Sequence, residues 1–164
     1  MDIIIAHRGL LCGPNQFLEN EPNHIKNNIK CHPQIINEID IWISNEIYLG
    51  HDRPDYKIEF NFLKEFSNNL ILHLKHIEFK SDIAMKNLKE IMQYCHTFCH
   101  EDDNFTITSR NWIWLHPKNK IQENCIVVMP EKFLNLDINE NIMLLKKAKG
   151  VCSNYPLKML GLID

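Results

Sequence analysis

Glycine is scarce, with five among 164 residues. Few backbone positions are therefore free to form a glycine-rich loop that cradles phosphates through main-chain N–H groups. No apolar run approaches the ~20 residues of a membrane-crossing helix, so stable membrane insertion is not expected. The opening MDIIIAHRG has a short apolar run without a basic flank, so the pattern of a secretory signal is missing too. A broad positive field is also lacking. The net charge of −3 speaks against nucleic acid or anionic lipid as a partner. Neither a repeat nor a linker interrupts residues 1–164, which read as one domain. What is present is ordinary for a globular protein: 45% hydrophobic and 24% charged residues. A chain of this length buries roughly 68–70% of its unfolded surface, enough for a real core. Six cysteines (Cys12, Cys31, Cys95, Cys99, Cys125, Cys152) without a signal peptide read as small, reduced, buried residues of a cytoplasmic protein.

Strand and helix patterns alternate. Ile3-Ile4-Ile5 is a continuous β-branched run, as in a strand buried on both faces, and it delivers His7 and Arg8 at its end. Pro22 opens a helix with Ile25 and Ile29 on one face, and Pro33 closes it. In the strand Ile35–Ile43, Glu38 and Asp40 point one way and Ile39, Ile41 and Ile43 the other. Ser44-Asn45-Glu46 turns the chain into Ile47-Tyr48-Leu49, which delivers His51. A short helix is expected over 59–67 and a third core strand over Leu70–Lys75. Ser81 caps a helix running to Cys95, and one or two short strands follow between Phe98 and Thr108. Cys125–Met129 is another buried strand. A helix over Ile142–Lys147 is expected to stop at Gly150, before a last strand at Val151–Ser153. Apolar strands alternating with helices argue for a parallel α/β domain. An eightfold barrel typically needs about 250 residues, so a barrel here has lost helices or strands.

Two carboxylates at i and i+2 of a strand share one face, with side chains roughly 6–7 Å apart at the base. Buried together they repel, and a hard divalent cation such as Mg²⁺ or Ca²⁺ relieves the repulsion. His7 and His51, each just past a short apolar strand, suit general acid–base work. Arg8 offers a planar fork that matches phosphate. Together these groups point to a phosphodiester whose anionic oxygens a metal neutralises. The spacing of Cys95-His96-x-x-Cys99-His100 departs from that of a four-ligand zinc site, and Trp112-Ile113-Trp114 reads as core or rim packing.

The set His7-Arg8-Gly9, Glu19-Asn20, Glu38-Ile39-Asp40 and the hairpin into His51-Asp52 resembles the signature of the glycerophosphodiester phosphodiesterase family, within the PI-phospholipase-C-like phosphodiesterases. Gly150 through Pro156 is similar to the last barrel strand of that family. The resemblance implies a trimmed TIM-barrel-like (β/α) barrel with several helices shortened or missing. It implies a metal-dependent phosphoric diester hydrolase of lipid-headgroup chemistry, cleaving a small glycerophosphodiester to glycerol phosphate and an alcohol. In it His7 and His51 are the acid–base pair. Arg8 and Lys75 bind the phosphate. Glu38 and Asp40 hold the metal, with Glu19 a further ligand or orienting group. The family commonly places a carboxylate where this chain has His73, which would then be a nitrogen ligand, so Mn²⁺ joins Mg²⁺ and Ca²⁺ as a candidate. Asp102 or Asp103 is an alternative source of the missing carboxylate. A lysophospholipid, a cyclic phosphate or a nucleotide is an alternative substrate, and a silent barrel that binds a ligand or partner is the alternative to an enzyme. Missing helices would bare apolar strand surface that a second copy could cover, so a homodimer is expected.

Overall fold

A computed structural model describes residues 1–101 and 103–162. In chain order the elements are β1 (Ile3–Ala6), α1 (Pro22–Cys31), β2 (Ile35–Ile43), β3 (Ile47–Leu49), β4 (Tyr56–Ile58), α2 (Phe60–Glu65), β5 (Leu70–Ile77) and α3 (Asp82–Tyr94). Then follow β6 (His96–Phe98), β7 (Phe105–Ile107), β8 (Ile113–Leu115), β9 (Cys125–Val128), α4 (Asn139–Leu145), β10 (Gly150–Ser153) and α5 (Pro156–Leu160).

The strands form one ten-stranded sheet. Its parallel part runs β6-β5-β2-β1-β10-β9-β8. The β3–β4 hairpin adds antiparallel strands beside the last residues of β2, and β7 pairs antiparallel with β8. Among the described residues no ladder joins β6 to β8. Their approach rests instead on Ser109 N donating to Thr97 O at 2.8 Å and on the Phe98 and Trp114 rings, whose centroids lie 4.5 Å apart. Mixed α/β architecture is as expected, and the crossovers from β6 to β8 and from β8 to β9 contain no helix among the described residues. No helix among them is long and apolar enough to cross a membrane.

Period-two alternation sorts the side chains into layers. Ile39, Ile41 and Ile43 of β2, all fully buried, pack outward with Ile25 and Ile29 of α1 and Ile91 of α3. Ile4 and Ala6 join Val127, Val151, Leu145 of α4 and Met159 of α5 on the other flank. The opposite parity faces inward: Ile5, Ile71, Phe98, Trp114, Ile126, Val128 and Cys152 form one apolar cluster. That cluster is the floor on which the polar residues at the C-terminal strand ends stand.

Local chemistry explains the helix starts. Pro22 occupies the first turn of α1, where its missing N–H costs nothing, and the Glu21 side chain accepts from the N–H groups of Asn23 and His24. Ser81 accepts from Ala84 N at the start of α3. Four sequence expectations need correction. Gly150 does not stop a helix; it opens β10, where a Cβ would come within 2.5 Å of Ile3 O, so the β1–β10 pairing excludes any side chain. Accordingly α4 lies at Asn139–Leu145, earlier than the pattern predicts. The helix expected over 59–67 ends at Glu65 and gives way to a 3-10 turn over Ser67–Asn69. The cysteines are not uniformly buried: Cys95, Cys125 and Cys152 are, while Cys12, Cys31 and Cys99 are exposed, and all are free thiols.

His96 closes the seam between β6 and β8. It is 1% exposed, its Nε2 lies 2.6 Å from Thr108 Oγ1, and its ring meets Trp112 edge-on. Burial, then the charges of Arg110 and Lys149, push its pKa down from 6.5 to about 4. Between these two values the unfolded chain binds a proton that the folded one refuses. Stability therefore falls as pH drops through 6.5 toward 4, and the loss stops below the folded value. In thermal melts taken from neutral pH to about pH 5, the fall in Tm is expected to be shallower for His96→Gln than for the native chain. Parallel curves would refute this account.

Candidate active site

The C-terminal ends of the parallel strands surround a cavity of about 670 Å³. His7, Arg8, Glu38, Asp40, His51, His73 and Lys75 all line it. The topology accounts for each. β1 ends at Ala6, and the chain turns through a 3-10 segment in which Arg8 (φ 52°) and Gly9 (φ 74°) are left-handed. A Cβ on Gly9 would come within 2.9 Å of Ile25 Cγ1, so α1 can close on this turn only over glycine. The turn aims Arg8 N at Glu38 Oε2, at 3.0 Å. β2 presents Glu38 and Asp40 inward, and the parallel register sets His73 of β5 beside Asp40. β3 runs back along β2 with Leu49 opposite Ile41. Gly50 N then donates to Asp40 O, and Trp42 Nε1 donates to Gly50 O. The hairpin thus returns His51 to Asp40.

Asp40 is the hub. Its Oδ2 accepts from His51 Nδ1 at 3.1 Å and Asn20 Nδ2 at 3.0 Å, and its Oδ1 accepts from His73 Nδ1 at 3.0 Å. Burial alone would push the Asp40 carboxyl up, but hydrogen bonds from His51, His73 and Asn20 outweigh it and hold the group well below the usual carboxylate range. Glu38 receives fewer donors. Burial, then repulsion from Asp40, raise it to about 8. Two adjacent carboxyl groups thus titrate far apart, as like charges in one dry site must.

The arginine fixes the tautomer of His51. A guanidinium only donates, so Arg8 Nη2 donates to His51 Nε2 at 2.8 Å, and the imidazole proton sits on Nδ1 facing Asp40. Arg8 Nη1 pairs with Glu19 Oε2 at 2.8 Å. Glu19 therefore sits on the arginine, outside the carboxylate cluster. The buried Arg8 Nε makes no hydrogen bond but lies 3.5 Å from Asp40 Oδ2, an ion pair that adds to the hub. His7 Nδ1 donates to the amide oxygen of Asn154 at 2.8 Å, which leaves the lone pair on Nε2. Burial and the neighbouring Arg8 lower the His7 pKa to about 4, against the opposing pull of the Asn154 bond, so this ring is neutral at pH 7.

Glu38, Asp40 and His73 offer one ligand atom each, all within 4.8 Å of one another, and all three residues are buried. Asp103 lines the cavity but is not part of this trio, and Asp102 lies outside the described residues. The Cys95–His100 segment does not gather. Cys95 is buried under Leu63 O, His96 is at the seam, and Cys99 and His100 reach the cavity wall. Trp114 packs in the core against Phe98 and also lines the cavity.

Several contributors have a role that the sequence reading did not assign them. Glu131 accepts from Asn154 N and Ser153 Oγ, both at 3.0 Å, and so holds the turn that presents Asn154 to His7. Asn20, fully buried with φ 58°, clasps Asp40 from both sides, accepting from its N–H and donating to its carboxylate. His100 and His116 stand on the cavity wall, ring centroids 4.8 Å apart. The polar residues directly after apolar strands were the available hint.

No protein-family model matches the chain, and no curated protein does. Among solved structures, the fold is similar to the crystal structure of a putative glycerophosphodiester phosphodiesterase from Galdieria sulphuraria. The TM-score is 0.56 at 15% identity, over 100% of this chain and 98% of that one. At that identity the likeness is one of fold.

Proposed function

We propose that the protein is a metal-assisted phosphodiesterase acting on a small glycerophosphodiester, which it splits into glycerol phosphate and an alcohol. The observation that carries this reading is convergence. Two imidazoles, an arginine and a buried carboxylate pair, from residue 7 to residue 75, share one cavity with Lys75. The fold likeness to a protein of that description supports it. Glu38, Asp40 and His73 fit a divalent cation: two carboxylate oxygens and an imidazole nitrogen lie within ligand reach of one another, in a site where Glu38 holds a proton that a cation would displace. A cation held there supplies Lewis-acid stabilisation of negative charge at phosphorus.

The remaining steps belong to the side chains. Arg8, whose guanidinium lines the cavity, binds the phosphate oxygens, oriented by Glu19. Lys75 adds a second positive charge. His7 is neutral, so its Nε2 lone pair accepts the proton of the substrate's neighbouring hydroxyl as that oxygen attacks phosphorus. His51, protonated on Nε2 once the substrate phosphate draws Arg8 off that nitrogen, delivers that proton to the departing alcohol, with the Asp40 carboxylate at 3.1 Å as counter-charge to the imidazolium. The new bond is oxygen to phosphorus, the broken one phosphorus to the alcohol oxygen. Water then opens the cyclic phosphate with the two imidazoles in exchanged roles. No side-chain nucleophile is required.

A panel of glycerophosphodiesters, lysophospholipids, cyclic phosphates and dinucleotides, each assayed with and without EDTA, tests the assignment. Turnover of a glycerophosphodiester that EDTA abolishes is the expected result. Absence of turnover across the panel, with divalent ions supplied, would favour a silent barrel that only binds.

A further inference from the structure

We infer that the metal site prefers a first-row transition dication over Mg²⁺ and Ca²⁺, and that His73 sets this preference; the inference rests on the metal site of the proposed function. The hydrogen bonds decide which atoms are free. Glu38 Oε2 already accepts from Arg8 N, and Asp40 Oδ2 already accepts from His51 and Asn20. That leaves Glu38 Oε1, which has no hydrogen-bond partner among the described residues, and Asp40 Oδ1 and His73 Nδ1, which are bonded only to each other. These are the atoms that face one another, with Nδ1 at 3.0 Å from Oδ1 and 3.9 Å from Oε1. The protein thus offers two monodentate oxygens and one nitrogen.

Ca²⁺ takes about 6–8 oxygen ligands, often with bidentate carboxylates, and this set supplies too few. Mg²⁺ also demands oxygen and gains little from imidazole. First-row transition dications gain from an imidazole nitrogen, Mn²⁺ least among them, which makes Mn²⁺ the strictest test of the preference. His73 is built as a ligand that cannot swing away. It is 7% exposed, and its ring stacks on Phe98 and on His100, each at 4.7 Å between centroids and 7° between planes. A carboxylate only accepts, so in the structure Nδ1 carries a proton that stands between the two acids, where positive charge is favoured. A dication bound there would take that place, the proton moving to Nε2 of the same ring. The fixed ring and the pre-assigned oxygens make this set selective by donor type rather than by charge alone.

Mn²⁺ is the probe, because its paramagnetic resonance signal counts free ions directly. The full-length chain is loaded with Mn²⁺ and challenged with Mg²⁺ or Ca²⁺, beside His73→Glu and His73→Ala. In the native chain about tenfold excess of either competitor should leave most Mn²⁺ bound and about 100-fold excess should displace half, the outcome of a ~100-fold preference, or ~2.7 kcal/mol. His73→Glu should lower the required excess at least tenfold while still binding Mn²⁺. His73→Ala should weaken Mn²⁺ more than it weakens Mg²⁺. Equal displacement in the native chain and His73→Glu would overturn the inference while leaving phosphodiester cleavage standing. Failure of the native chain to bind any of the three ions would overturn the metal site itself, and with it the metal-assisted mechanism. Should His73→Glu not fold, the unequal loss in His73→Ala decides the question.

Discussion

Replacing His51 with alanine is expected to lower glycerophosphodiester turnover by about 10²–10⁴-fold, the usual contribution of a positioned general acid or base. The fold should survive. His51 follows the β3 strand in a connecting segment, its side chain is 31% exposed, and it belongs to none of the apolar clusters. Melting temperature should therefore change little. The loss should fall on kcat rather than on KM, because Arg8 and Lys75 still meet the phosphate. Removing the ring also frees Arg8 Nη2, which the imidazole engages at 2.8 Å, so phosphate affinity is expected to hold or improve. Small imidazole added to the solution should restore part of the turnover by filling the vacated space against Asp40. Native rates in His51→Ala on every active substrate would sink the assignment of acid and base. A fall in rate with a collapse in melting temperature would instead make His51 structural.

The sequence makes the near-strand chemistry legible because period-two alternation is a local rule. Ile3–Ile5 reads as a buried strand, and the inward placement of Glu38 and Asp40 follows from Ile39, Ile41 and Ile43 pointing outward. The hairpin that returns His51 is visible in Ser44-Asn45-Glu46. What stays illegible is set by register between strands far apart in the chain. Nothing around Glu131 marks it, because its partners Ser153 and Asn154 arrive 22 and 23 residues later. Gly150 reads as a helix stop since both roles call for a missing side chain, and only the approach of Ile3 O distinguishes them. The three-residue strands β4 and β7 have too few positions to show a period, and their pairing partners alone make them strands. Glu19 sits at a plausible ligand position in sequence, yet the left-handed turn at Arg8 brings the guanidinium to it first.

Glu38→Gln separates stability from function most sharply. Glu38 is 2% exposed beside an ionised Asp40, with one backbone donor on Oε2 and no side-chain hydrogen bond. A second buried like charge would cost stability, which is why the Glu38 carboxyl, raised to about 8, keeps its proton at neutral pH. The amide has the same shape as that protonated acid, is likewise neutral and keeps an oxygen for Arg8 N. The metal-free variant is therefore expected to melt at or above the native temperature, unlike most changes at a buried polar residue. Its response to metal should be the reverse. With free ion at about 100 times its Kd, the native chain gains ~2.7 kcal/mol. For a domain of this size that is an upward shift of roughly 5–11 °C in Tm. Glu38→Gln should show little of that shift and little turnover, since one of the two anionic donors is gone. Differential scanning fluorimetry with and without Mn²⁺ reads both effects in one experiment. A large drop in the metal-free melting temperature would mean that the carboxylate pair stabilises the fold, and a metal shift as large as the native one would place the cation elsewhere. The expected pattern, neutral or stabilising alone and deleterious with metal, is the signature of a charge pair retained for what it binds.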